Sequence, residues 1–276
     1  MFACTGALAT VTAFSSSAAQ GLPVPSWATF GSFAHRRLAE LVLLLCVLAL
    51  VVVWRAAGSS LQRRLCLGVT LGVVALAGLG ITASINGPSP LLSVVQSSLL
   101  HFVLAAMALL VLIAGPWMSG PPALVEDEFR PSLRSIAWAP AGLIAVQIIL
   151  GSAYRHGLTG VIAHLIGAFV VAGFLALAGL LVATAFPQHK PLRQPAIVLV
   201  WMMLAQVVLG VVALTYRAQS AVSTQSWSPN LVLFTIGHIL LGSLALAACI
   251  WLAMAIRKHV ADATAAPVAS MKEERA

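Results

Sequence analysis

The chain has 276 residues, 61% of them apolar and only 8% charged, with a mean hydropathy of +1.02. A soluble domain, with about 45–50% apolar residues, has no place for that excess, so the composition excludes an ordinary water-soluble protein. The formal charge of +8 needs no nucleic-acid partner, because the basic residues sort by side of a membrane.

In chain order, residues 2–18 are apolar but interrupted by Thr5, Thr10, Thr12 and Ser15 to Ser17. With Ala18-Ala19-Gln20 they read either as a first helix or as the end of a signal peptide; the lack of a preceding Lys or Arg favours the retained helix. After the segment Gly21 to Trp27, runs of apolar residues predict membrane-spanning helices at 37–54, 66–85, 98–115, 135–153, 159–183, 195–214 and 231–256. Continuous Leu, Val and Ala runs favour helices over the short alternating strands of a barrel. The expectation is an all-α polytopic membrane protein of eight transmembrane helices.

Alternate loops divide the basic residues unequally. Arg55, Arg63, Arg64, Arg130, Arg134, Lys190, Arg193, Arg257, Lys258, Lys272 and Arg275 fall on one side, and Arg36, Arg37, Arg155 and Arg217 on the other. The richer side is cytoplasmic, and both termini are then cytoplasmic. Cys4, Cys46, Cys66 and Cys249 are scattered, form no CxxC pair, and read as free thiols.

His35, His101, His164 and His238 each fall near the outer end of a predicted span, within about two turns of it at 1.5 Å per residue. An imidazole repeated at one depth inside hydrocarbon is expensive, which points to metal or heme ligation. His156 and His189 fall in short loops and His259 beyond a helix end, and these read as solvated.

The two halves repeat. Ala34-His35 is echoed by Ala163-His164, and Leu100-His101-Phe102-Val103-Leu104 by Gly237-His238-Ile239-Leu240-Leu241. Four helices return the chain to its starting side, so the halves run parallel. This predicts an N-terminal bundle over 1–118, a cytoplasmic linker over 119–134, a C-terminal bundle over 135–259 and a cytoplasmic tail over 260–276. Two histidines per half is the number required to hold one heme iron from both faces. Arg36, Arg155, Arg37 and Arg217 lie on the same outer side, where they could bind heme propionates or lipid headgroups. Gln147-Ile-Ile-Leu-Gly151 also matches Gln206-Val-Val-Leu-Gly210, small residues that permit close helix packing beside glutamines that need an interhelical partner.

Taken together, Gly21-Leu-Pro-Val-Pro-Ser-Trp27, His35-Arg36, the run Gln147 to Arg155, Gly160-Val-Ile-Ala-His164 and His238 resemble, in order and spacing, the heme A synthase family of cytochrome oxidase assembly. The resemblance covers nearly the whole chain. It implies two four-helix bundles in a bacterial inner membrane, with heme b as cofactor on His164 and His238 near Arg155. Heme o would be the substrate on His35 and a helix residue at His101 or Gln96, near Arg36. The internal repeat favours His101. The implied reaction oxidises a heme methyl group to a formyl group by successive hydroxylations, with oxygen and electrons. The implied partners are a heme o-producing enzyme, an electron donor and membrane lipid, with an oligomer compatible.

Two departures bear on activity. Family members commonly carry a glutamate three residues before the first histidine, where this chain has Ser32, and the loop aspartate is Ser26. A hydroxyl does not ionise near neutral pH and cannot replace a carboxylate in proton transfer. Glu40 stands five residues beyond His35, about 140° round the helix, and is a poor substitute. The alternative is therefore a non-oxidising heme-binding membrane cytochrome, electron carrier or heme chaperone. A small-solute transporter is disfavoured by the parallel halves and the scarcity of intramembrane carboxylates.

Overall fold

The computed structural model describes residues 26–87, 89–115, 120–222 and 229–261, with side chains described for 37–87, 89–115, 120–219 and 230–261. Among these residues, seven helical segments are long and apolar enough to cross a membrane. Segment 2–18, the loop residues Gly21 to Pro25 and the tail beyond Ala261 lie outside the described residues.

The helices are α1 (Ser26–Arg55), α2 (Ser60–Asn86), α3 (Pro90–Ala114), α4 (Leu133–Ile136), α5 (Ala139–Arg155), α6 (Val161–Ala185), α7 (Lys190–Val222) and α8 (Pro229–His259). All seven spans expected at 37–256 are present, and most are longer than the hydropathy runs that announced them. At α2 the reason is visible: Gln62 N–H donates to Ser59 Oγ at 3.2 Å while Ser59 N–H donates to Gln62 Oε1 at 2.8 Å. This capping box starts the helix before Arg63 and Arg64, in a stretch that hydropathy alone leaves outside the span.

Proline explains the one division within a span. Pro140 occupies the first turn of α5, where its missing N–H leaves no bond unmade. The chain therefore makes the single turn α4, capped by Ser132, and restarts at Ala139. Two residues past the end of α5, Gly157 takes a φ of 77°, which permits Leu158 N–H to reach Ala153 O at 2.9 Å. The short turn that follows leads directly into α6.

The chain divides into two compact units. The first takes the described residues up to Leu92 together with Val208–Leu240; α1 packs on α2, and Thr70 Oγ1 on α2 bonds to the Cys66 and Cys46 carbonyls at 2.9 and 3.4 Å. The second takes Ser93–Val207 and the chain from Leu241, and has α5 packed on α6. Its core centres on the later turns of α8, where Ala245, Ala247, Ala248, Cys249 and Ala253 are buried. Small side chains there let other helices come close, which is how packing is gained where no hydrophobic effect drives association. Cys46, Cys66 and Cys249 are buried free thiols. Leu44, Leu45, Val52, Ile85, Phe169, Leu177 and Trp201 face outward, an arrangement suited to lipid and unsuited to water.

The linker is pinned to the end of α8 within the second unit. Val125 N–H donates to His259 O at 2.9 Å, and Ala261 N–H to Val125 O at 2.8 Å. Arg134 Nη1 donates to the carbonyls of Arg257 and Val260 at 2.9 and 2.8 Å, while Asp127 accepts from the N–H groups of Phe129 and Leu133. These bonds satisfy the carbonyls at the α8 terminus and the amides at the start of α4.

Candidate functional site

Two helical hairpins in this chain use the same local device. On α5, Gln147, Gly151 and Tyr154 share the face that meets α6. The His164 ring lies over Gly151 so closely that a β-carbon there would stand 2.9 Å from Cε1 and 3.2 Å from Nδ1. Tyr154 stacks on the same imidazole, with ring centroids 5.9 Å apart and planes at 11°. On α7 and α8 the geometry recurs: a β-carbon on Gly210 would stand 2.9 Å from His238 Cε1 and 3.3 Å from Nδ1. One turn away, the Gln147 amide lies over Gly167 and the Gln206 amide over Gly242. A β-carbon at any of these four glycines would crowd the facing side chain, least at Gly242, where Gln206 Nε2 stands 3.1 Å away.

The polar contacts of His164 determine what its ring can do. Gln147 Nε2 donates to the His164 carbonyl oxygen at 2.9 Å and lies 2.9 Å from Nδ1. With Nδ1 accepting, the ring hydrogen is on Nε2. Gln147 Oε1 is buried without a partner among the described residues. The opposite tautomer, with the hydrogen on Nδ1 and the lone pair on Nε2, would require the amide to turn end for end and set its oxygen against the His164 carbonyl oxygen instead of donating to it. The seat over Gly151 and the bond to Gln147 together fix the ring between α5 and α6.

His101 has the opposite tautomer. It is 7% exposed, on the face of α3 that also buries Ser97, Ser98 and Ala105. Its Nδ1 lies 2.7 Å from Ser97 O, and since a carbonyl only accepts, Nδ1 carries the hydrogen and Nε2 the lone pair. Its Cδ2 lies against α8 at Gly242. Gln96 stands about 140° round α3 from His101 and is half-buried.

The other expected residues divide as follows. His164, His101 and Arg155 belong to the second unit, while His238 belongs to the first. His35 and Arg36 are in the third turn of α1, and their side chains lie outside the described residues, as does that of Ser32. Glu40 pairs with Arg37 at 2.8 Å, exposed on both sides.

The four histidines stand at different distances from the starts of their helices. His164 follows the first residue of α6 by three positions, whereas His35 and His238 follow theirs by nine and His101 by eleven. The cause is that α1, α3 and α8 begin earlier than their hydropathy runs. Sequence reasoning also missed Tyr154, whose position three residues after Gly151 was a readable signal. The reading of His189 and His259 as solvated is corrected: His259 is the last residue of α8 and 3% exposed, and His189 is half-buried against it.

Among the described residues no group of three or more His, Cys, Asp and Glu is placed to hold a metal ion. No family model matches the chain, and no curated protein or solved structure matches it either.

Proposed function

We propose that this chain is a heme-binding integral membrane protein of the heme A synthase type, an oxidoreductase that converts a methyl group of heme o towards the formyl group of heme a with heme b as cofactor. The observation that carries the reading is that an imidazole is seated over a glycine of the facing helix twice, at Gly151–His164, where Gln147 adjoins the ring, and at Gly210–His238.

In this reading His164 and His238 are ligands of heme b, with Arg155 for a propionate. His35 and His101 hold the substrate heme, with Arg36 for its propionates. Gln147 sets the plane of His164, Gly151 and Gly210 make room for the rings, and Tyr154 prevents the His164 ring from turning. The bound iron and porphyrin supply the oxidative chemistry; the chain supplies position and polarity. The eight helices form two tandem parallel bundles, 1–118 and 135–259, in a bacterial inner membrane with both termini cytoplasmic.

Ser32 favours a second reading, a heme-binding membrane cytochrome, carrier or chaperone that does not oxidise. Acid-acetone extraction of the purified protein, coexpressed with a heme o source, separates the two. Heme b together with heme a supports the synthase, and heme b alone, with heme o shown to be present in the cells, supports the second. A protein without a Soret band that also fails to reconstitute with heme overturns both.

A further inference from the structure

The turn between α1 and α2, within the first unit, gathers three arginines. Arg55 is the last residue of α1, and Arg63 and Arg64 are the fourth and fifth of α2. The connection is tight: Ala57 takes a φ of 52°, Gly58 N–H donates to Val53 O at 3.0 Å, and the Ser59–Gln62 capping box starts α2 at once. None of the three side chains has a hydrogen-bond or ion-pair partner among the described residues, and the Nε of Arg63 is buried in that state.

The unit has no counter-ion of its own to give them. In the sequence of Met1–Leu92 and Val208–Leu240 the one carboxylate is Glu40, which pairs with Arg37 at 2.8 Å. Glu40 also stands fifteen residues before Arg55, about 22 Å away along α1 at 1.5 Å per residue. Arg63 is disfavoured further by the dipole of α2, whose first turn holds no acidic residue and whose N-terminal end repels a cation. A guanidinium N–H that is buried and unpartnered costs free energy that an anion from outside the chain recovers. The second unit treats its cation differently, since Arg134 donates to two carbonyls at the end of α8.

The surroundings select the anion. Trp54 and Leu61, which adjoin the arginines in sequence, are 51% and 39% exposed. Such side chains at the ends of membrane-spanning helices mark the level of the lipid headgroups. A planar guanidinium fork binds phosphate bidentately, and at that level the membrane itself carries the phosphate.

We propose that the α1–α2 turn binds the headgroup of an anionic phospholipid, with Arg55, Arg63 and Arg64 on the phosphate and Trp54 and Leu61 against the lipid chains. The site is independent of the heme reading, since it uses none of the residues assigned there.

The test uses the full chain in detergent, with phosphatidylglycerol and phosphatidylcholine added in equal amounts and the retained lipid counted by native mass spectrometry. The wild type is expected to prefer phosphatidylglycerol by about tenfold or more, and Arg55→Gln, Arg63→Gln and Arg64→Gln each to lower that preference by about fivefold. Lys190→Gln and Arg193→Gln remove the same charge elsewhere and are expected to keep the wild-type preference. A wild type that retains both lipids equally, or control variants that lose as much as the turn variants, would overturn the site. A further measurement needs no variant: millimolar inorganic phosphate is expected to leave the bound phosphatidylglycerol in place, and its displacement would assign the arginines to a free anion and overturn the lipid proposal.

Discussion

Gly151 and His164 approach so closely across α5 and α6 that the imidazole rests on the backbone of the facing helix, and a β-carbon on Gly151 would stand 2.9 Å from its Cε1. A methyl group there must push the ring off its seat, and overpacking of this kind costs about 1–3 kcal/mol. Gly142, on the same helix, has nothing within 4 Å of the corresponding position. Gly142→Ala should instead stabilise by roughly 0.4–1 kcal/mol, by restricting the unfolded chain. Denaturation in detergent is expected to give opposite signs for Gly151→Ala and Gly142→Ala. Equal effects would show that the seat has no structural importance.

Gln147 bonds across the helix pair to the His164 backbone and lies within hydrogen-bond distance of its ring. Intramembrane bonds of this type contribute about 0.6 kcal/mol on average and at most roughly 1.7. Gln147→Leu should lose stability within that range. In a double-mutant cycle with His164→Phe, the two changes should be less than additive; strict additivity would mean that the amide and the imidazole are not coupled.

Arg134 donates to two carbonyls at the end of α8. Bonds from a charged donor contribute about 1.5–3 kcal/mol when buried, and less here because Arg134 is half-exposed. Arg134→Met should therefore act locally. Amide exchange should accelerate at Val125 and Ala261, which share the bridge to α8, and remain unchanged in α6. Uniform acceleration throughout the chain would contradict this.

Asp127 places one oxygen 2.7 Å from Leu133 N and the other 3.1 Å from Phe129 N. Removing a side-chain cap costs about 0.5–2 kcal/mol. Asp127→Ala should lower thermal stability by such an amount, and Asp127→Asn, which retains an acceptor oxygen, should lose less. If the two variants behave alike, the capping account fails.

Much of the candidate site was legible in the chain. Gln147 and Gln206 stand out because an amide in hydrocarbon needs a partner, and their shared spacing to Gly151 and Gly210 marks the places where helices come close. What could not be read was the identity of the partner. Gln147 meets His164 because a tight turn at Gly157 folds α6 back on α5 in one register. His189 and His259 were misread for the same reason. They are far apart in sequence, and each alone looks like a polar residue at a helix end.

The sequence by itself determined that this is a helical membrane protein, where its seven described spans lie, and which residues are out of place in lipid. Those properties are local, because the transfer of each segment into hydrocarbon depends on its own side chains and backbone bonds. The tertiary structure alone decided that His164 rests on Gly151, that His238 rests on Gly210, and that the linker at Ala123 lies against His189 and His259. These are properties of helix crossings and chain reversals. They depend on the direction and register in which two distant segments meet, which neither segment encodes alone.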